Sequence, residues 1–336
     1  MILFDFEYER PETLEQAVAL LGRPDGEARL LAGGTDLLPN MRVEIETPTT
    51  LVSLGGIEPE QPERLADGVI RIDALSRLAD LERSPLIEDA FPMLAESIRA
   101  VGSNQTREMG TLGGNLCQEV RCLYLNQKHD HQFVAPCYKR GGDCCYPFPN
   151  NRPNVCWAVH ASDIAPALIA LDAEIEILSA AGTRRIPAED LYTGDGMAPL
   201  VLDPAEIVRA VVIPPAAPGS GWGYHKSTVR GGLEYGMAVM AVVLQASEDG
   251  ATCTNARIVF GAVRQGPVRP SEVEAALAGV ALDPKTLATA AKDASRAVRP
   301  FPHHGYSVIH MVETIRVYME RTLEAAAARA RGRETG

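Results

Sequence analysis

The sequence contains no apolar run long enough to cross a bilayer: its longest stretches, such as residues 237–244, fall far short of the ~18 residues a span requires. It also lacks an excess of basic charge. Of 336 residues, 32 are Lys or Arg and 44 are Asp or Glu, a net charge of −12, so no face could neutralise a run of phosphates. Nucleic acid is excluded as a partner on that ground. No block of like charge is long enough to form a tail. The opening residues, MILFDFEYERPE, place acids where a secretory leader needs a basic segment, so the expectation is a soluble, cytoplasmic protein with no membrane partner. Internal repeats, G-x-G-x-x-G, Walker A and HExxH are missing, and no Ser-His-Asp set or carboxylate pair stands in a convincing context. Bond-making on a substrate is therefore expected on another chain.

What is present is 46% apolar residues, too many for a disordered chain and, at roughly 150 residues per domain, enough for about two domains with cores of their own. The pattern is mixed α+β. Thr13-Leu14-Glu15-Gln16 fits a capping box opening a helix whose apolar face is Leu14, Val18 and Leu21, closed by Gly22. Strands are expected over 29–32, 50–54 and 69–72, helices over 75–81 and 86–101, and a Gly-rich turn over 106–115. Between 118 and about 154 no period is sustained, which reads as an insertion with a function or a staple of its own. A helix is expected within 161–171, and a hairpin joins 174–178 to 184–187. The Pro/Gly-rich stretch 214–221 reads as a linker, before strands over 223–228, 238–245 and 256–262. Val308, Val312, Ile315, Met319 and Leu323 then form the stripe of a last helix.

Two glycine-rich turns stand out. In Leu31-Ala32-Gly33-Gly34-Thr35-Asp36-Leu37 a strand ends in Gly-Gly, which lets backbone approach a phosphate while free N–H groups and the Thr hydroxyl bind the anion. An ordinary β-turn with a helix N-cap at Thr35 or Asp36 explains the same residues. Thr111-Leu112-Gly113-Gly114-Asn115 repeats the logic, and two such turns suggest one ligand held between two loops. The cysteines are equally uneven: Cys117, Cys122, Cys137, Cys144, Cys145 and Cys156 crowd into 40 residues, with Cys253 apart in a core-like strand. Without an export signal, a metal or cluster site is a better reading than disulfides. The thiolates suit an iron–sulfur cluster or zinc, and His129 and His131 could join a zinc site. Cys122, Cys137, Cys145 and Cys156 lie 15, 8 and 11 positions apart, a poor fit to the close pairs of structural zinc sites.

Taken together, the Ala32–Leu37 and Thr111–Cys117 segments resemble the two FAD-binding signatures of the flavoprotein (medium) subunit of molybdenum hydroxylases. The resemblance runs the whole length, through Ser162-Asp163-Ile164-Ala165-Pro166-Ala167-Leu168, Glu206-Ile207-Val208, Tyr224-His225-Lys226 and Gly261-Ala262-Val263. It implies an FAD-binding domain of the PCMH/vanillyl-alcohol-oxidase type over residues 1–218, made of two subdomains. A C-terminal domain like that of the CO dehydrogenase flavoprotein, a three-stranded antiparallel sheet with helices, would follow over 219–330. By the same resemblance, Leu31 to Leu37 with Thr111, Gly113, Gly114 and Asn115 would hold the pyrophosphate, and Asp163 would bind the cofactor through its carboxylate. Val101 and Val208 would line apolar parts of the pocket, and Lys226 would sit near the flavin ring, where a cation raises the reduction potential. Taken alone, Lys226 reads as a surface lysine on a strand edge.

The insertion, about 118–155, resembles the one in the β subunit of 4-hydroxybenzoyl-CoA reductase, which carries a [4Fe–4S] cluster. Position by position, Cys122, Cys137, Cys145 and Cys156 take its four ligand places, with Cys144 an alternative to Cys145. Cys117 reads as a small buried residue. The resemblance implies a molybdopterin-binding large subunit, a small subunit with [2Fe–2S] clusters, and a dimer of such heterotrimers. Ferredoxin would feed electrons through the cluster and FAD to molybdenum for reductive dehydroxylation. An oxidising relative passing electrons from a purine or aldehyde to NAD is the enzymatic alternative, and a zinc-stabilised FAD-binding scaffold the non-enzymatic one.

Overall fold

A computed structural model describes residues 3–24, 27–127, 135–150 and 155–332. His129 and His131 lie outside them. The chain begins with a small layered unit: β1 (Glu7–Glu9), α1 (Leu14–Leu21), β2 (Ala28–Leu31), α2 (Leu37–Arg42) and β3 (Thr50–Ser53). The three strands are parallel in the order β1-β3-β2. Thr13 caps α1 by accepting from Gln16 N–H as expected, while the Gln16 side chain accepts from Glu12 N–H, one residue before the Thr13 N–H that a full box would use.

The second unit holds β4 (Glu63–Arg64), β5 (Ile70–Asp73), five helices, α3 (Leu78–Glu82), α4 (Pro85–Ala90), α5 (Pro92–Arg99), α6 (Asn104–Met109) and α7 (Leu112–Leu116), then α8 (Ala165–Ala170), β6 (Glu174–Ser179), β7 (Gly182–Pro187) and β8 (Ile207–Ile213). Its sheet is antiparallel, in the order β4-β5-β8-β6-β7. Three sequence expectations need correcting here. The helix over 86–101 is broken at Phe91, because Pro92 has no N–H to give and its ring drives the preceding residue out of the helical region, to a ψ of 65°. The helix expected over 75–81 begins only at Leu78. The turn over 106–115 is two short helices, with the Gly-rich bend confined to Gly110-Thr111; Ser103 and Thr111 cap them by accepting from Thr106 and Gly114 N–H.

The last unit is β9 (Ser220–Ser227), β10 (Ala238–Ala246) and β11 (Cys253–Gly261), antiparallel in the order β11-β10-β9, with α9 (Ser271–Leu277), α10 (Pro284–Ala297) and α11 (Val308–Ala330). Alternation along β10 divides its side chains between two cores. Ala238, Met240, Val242 and Leu244 face the helices α10 and α11, while Val239 and Ala241 join the core of the second unit. The stripe of α11 is Met311, Ile315, Met319 and Leu323; Val308, expected in it, is 42% exposed at the helix start.

The insertion runs from α7 toward α8. Arg121 and Val159 exchange backbone hydrogen bonds of 2.8 Å each and close its neck. Contrary to the expectation of a loop without a core, Val120, Leu125, Cys156 and Ala158 form a small buried cluster against Ile45 and Cys122. Trp157 packs on Phe148 and Phe301 with ring centroids 4.7 Å apart in each case. The Arg140 guanidinium donates to the carbonyls of Leu125, Gln127 and Val43, binding the insertion back to the end of α2. Among the described residues no helix is long and apolar enough to cross a membrane.

Candidate flavin cavity and thiol cluster

The bend after β2 and the start of α7 face each other because Gly33 lies directly against the carbonyl of Met109. A Cβ on Gly33 would collide with that carbonyl, placing the Met109 carbonyl carbon 2.5 Å away. Gly113 is similarly closed in by Ala74, whose Cβ would stand 2.9 Å from an added Cβ. Close approach of a phosphate is one reason for glycine at these positions; a stricter one is that protein atoms already occupy the space a Cβ would need. Gly34, at φ +70°, takes the left-handed turn that feeds α2.

Between the loops opens a cavity of about 980 Å³. Every residue singled out for the cofactor lines it except Leu31, which ends β2 behind Gly34. The backbone N–H groups of Thr35 and Asp36 make no hydrogen bond among the described residues, leaving donors directed at a helix start. Deeper in, Val101 and Val208 contribute apolar wall, both nearly fully buried. The arrangement fits a long ligand with an anionic middle and an apolar, planar end.

At that apolar end sit Lys226 and Asp163. Although β9 is an edge strand, the Lys226 side chain is only 8% exposed; its Nζ donates to Asp163 Oδ2 at 2.7 Å and to the Ala100 carbonyl at 2.9 Å. Tyr224 Oη donates to the Asp163 carbonyl at 3.0 Å. Burial pushes the Asp163 carboxyl up to about 6 against the opposing pull of Lys226. The folded chain then binds this proton more readily than the unfolded chain does. Taken alone, the group favours the fold below about pH 4, and that contribution is lost as pH rises through about 6, a difference on the order of 3 kcal/mol. Unfolding measured across that window should show this pH dependence in the wild type and not in Asp163→Asn; an identical slope in both would place the ionisation elsewhere.

The Asp36 side chain is engaged within the protein. Its carboxylate accepts from the Arg121 guanidinium and from Glu119 N–H at 2.9 Å, so the charge facing the cavity is already neutralised. Arg121, Tyr235 and His304 also line the cavity and were not singled out from the sequence. The only signal for Arg121 was its place beside Cys122.

All seven cysteines are free. Nearby backbone amides pull these thiols down, those of Tyr124 and Leu125 at Cys122, of Trp157 and Phe148 at Cys145 and of Ala158 at Cys156, although the Leu125 and Phe148 N–H groups donate to the Cys122 and Cys145 carbonyls. Burial raises all three thiols, Cys156 to about 11. Their charges act on one another: Cys122 lies in the field of Cys137 and Cys145, and Cys156 in that of Cys145 and Cys122. Cys145 in turn lies in the field of both Cys137 and Cys144. Among the described residues, no three Cys, His, Asp or Glu side chains stand close enough to grip a single metal ion. Cys117 lines the flavin-sized cavity, its thiol pushed up to about 12 by burial, and Cys253 is fully buried in the C-terminal core.

Residues 4–216 match the FAD binding domain in molybdopterin dehydrogenase, and residues 222–326 the CO dehydrogenase flavoprotein C-terminal domain. The chain is 34% identical over 285 residues to the aldehyde oxidoreductase FAD-binding subunit PaoB of Escherichia coli K12, covering 81% of this chain and 86% of that one. It is 29% identical over 331 residues to the carbon monoxide dehydrogenase medium chain of Afipia carboxidovorans, covering 98% of this chain and all of that one. The solved carbon monoxide dehydrogenase from Hydrogenophaga pseudoflava superposes with a TM-score of 0.77 at 27% identity, over 98% of this chain and 99% of that one. With its loop-bounded cavity and three-stranded C-terminal sheet, the chain belongs to the FAD-binding subunits of the molybdenum hydroxylase family.

Proposed function

We propose that this subunit is a two-centre electron conduit, with FAD in the cavity and a [4Fe–4S] cluster on Cys122, Cys137, Cys145 and Cys156. The observation that carries the flavin half of the reading is the cavity lined by all but one of the residues singled out for the cofactor. The likeness of the cysteine insertion to one that holds a cluster supports the other half, since soft thiolates suit iron–sulfur chemistry. A cubane takes one thiolate per iron corner and spreads its ligands wider than a single ion would, in keeping with thiols that share a field without converging on a point.

FAD, when bound, supplies two-electron exchange with one-electron carriers. Residues 32–37 and 111–115 would hold its pyrophosphate, Asp163 would bind it through its carboxylate, Val101 and Val208 would exclude water, and Lys226 would fix a positive charge beside the ring. Residues 1–218 form the flavin domain, with the thiol insertion at about 118–155, and 219–330 the C-terminal domain. The partners are a molybdopterin-binding large subunit and a [2Fe–2S] small subunit, in a dimer of heterotrimers, within a compartment reducing enough to keep the thiols free, the cytoplasm. The relatives named above act on an aldehyde and on carbon monoxide, which favours oxidation of a small substrate such as an aldehyde on the large subunit. Electrons then leave through this chain to an external acceptor. The second reading, a ferredoxin-driven 4-hydroxybenzoyl-CoA reductase with the flow reversed, rests on the likeness of the cysteine insertion.

Anaerobically isolated protein is expected to contain about four iron and four sulfide per chain beyond the small subunit's share, with an EPR signal on strong reduction. Cys122→Ala, Cys137→Ala or Cys156→Ala should abolish that signal while sparing FAD. Zinc, or no metal, at these positions removes the cluster from the reading. Reduction of the bound flavin by an aldehyde, as against reduced ferredoxin, separates the two directions.

A further inference from the structure

The insertion and the flavin cavity meet at one side chain. Arg121 begins the thiol loop, directly before Cys122, and its backbone closes the neck of the insertion against Val159. Its side chain lies 17% exposed in the cavity wall and reaches two separate segments. One end pairs with Asp36 at the start of α2, Nη1 donates to Asn40 Oδ1 at 3.1 Å, and Nε donates to Tyr235 Oη at 2.9 Å. The guanidinium carbon also stands 5.0 Å from the centre of the Tyr235 ring, on the connection between β9 and β10. The contacts extend into the thiol loop: Asn40 Oδ1 accepts from Asn126 Nδ2 at 3.4 Å, and Asn126 Oδ1 accepts from Cys122 N–H at 2.9 Å. Asp36 Oδ2 further accepts from Glu119 N–H. Both faces of one bend are therefore shared, its N–H groups opening to the cavity and its carboxylate holding the insertion.

We infer that Arg121 is a positioning residue that makes order in the thiol loop and occupancy of the flavin cavity interdependent. The inference rests on the cavity being the FAD site and on Cys122 being a cluster ligand. A ligand that fixes the 32–36 bend also fixes Asp36 and Asn40, and through the planar fork of Arg121 it fixes the residues that carry Cys122. Linkage makes the effect mutual: ordering the thiol loop must strengthen FAD binding by the same factor. Lysine cannot replace this group, since a point charge could satisfy Asp36 but not Asn40 and Tyr235 at once.

The test is hydrogen–deuterium exchange on the full chain, stripped of FAD and then reloaded, in wild type, Arg121→Gln, Arg121→Lys and Tyr235→Phe. FAD should slow exchange of residues 119–127 by about five-fold or more in the wild type, the range of a coupling energy between sites. Arg121→Gln should lose that protection while FAD still protects 111–115, and Arg121→Lys should recover part of it. Tyr235→Phe, which removes only one acceptor, should bind FAD and show a smaller effect, so the question stays decidable even if Arg121→Gln folds poorly. Full protection of 119–127 in both Arg121→Lys and Tyr235→Phe overturns the inference. In parallel, chelating the iron should weaken FAD binding in the wild type by the same factor and leave Arg121→Gln unchanged. Wild-type protein without iron or sulfide overturns the cluster reading, and the exchange comparison still decides the role of Arg121.

Discussion

Gly33→Ala is expected to strip the protein of FAD and destabilise it by at least about 3 kcal/mol, the upper part of the range for overpacking. The added methyl has no flexible neighbour to displace. It meets the Met109 carbonyl and the Gly110 Cα, and both belong to the bend that α6 and α7 hold in place. The two loops would have to separate, and the cavity between them is the one proposed to hold FAD. Flavin content per chain and the midpoint of thermal unfolding measure the effect. Gly55→Ala is the control, since its Cβ would meet only Ser53 Oγ at an ordinary 3.6 Å. A Gly33→Ala protein with a full complement of flavin and an unchanged midpoint would show that the loops do not need this contact.

Lys226→Met should be comparably severe, for an electrostatic reason. Removing one member of a buried ion pair leaves the other uncompensated, at about 3–5 kcal/mol. The Asp163 side chain is 7% exposed and already held up at about 6 by burial, so it would take up a proton at neutral pH instead of remaining a lone charge. The flavin potential therefore falls only to the extent that Asp163 stays ionised, and the fall should grow as pH is raised. The double variant Lys226→Met/Asp163→Asn should recover much of the stability, because an amide is neutral without the cost of binding a proton at neutral pH, and the two changes should be strongly non-additive. Additive losses, or a potential indifferent to both residues, would return Lys226 to the role of an ordinary edge-strand lysine.

Much of the architecture was legible because it depends on neighbours in sequence. The strand over 238–245, the cap at Thr13 and the hairpin joining 174–178 to 184–187 are set within a few residues of themselves, and each element formed where its pattern lay. The two Gly-Gly bends were visible for the same reason: glycine followed by Thr is a local signature of backbone approaching something closely. What they approach was not legible. The collision course between Gly33 and Met109 joins residues far apart in the chain, as does the pairing of Lys226 with Asp163, which turned an apparent surface lysine into a buried charge. The thiol insertion shows the limit most clearly. Composition marked the cysteines, but no period forecast the small core around Leu125, the backbone amides near Cys122, Cys145 and Cys156, or the reach of Arg121 to Asp36 and Tyr235. The sequence by itself determined which residue types could bind a flavin and a cluster. Only the tertiary structure decided which side chains face one another, because burial and pairing follow from long-range contacts that local propensity does not encode.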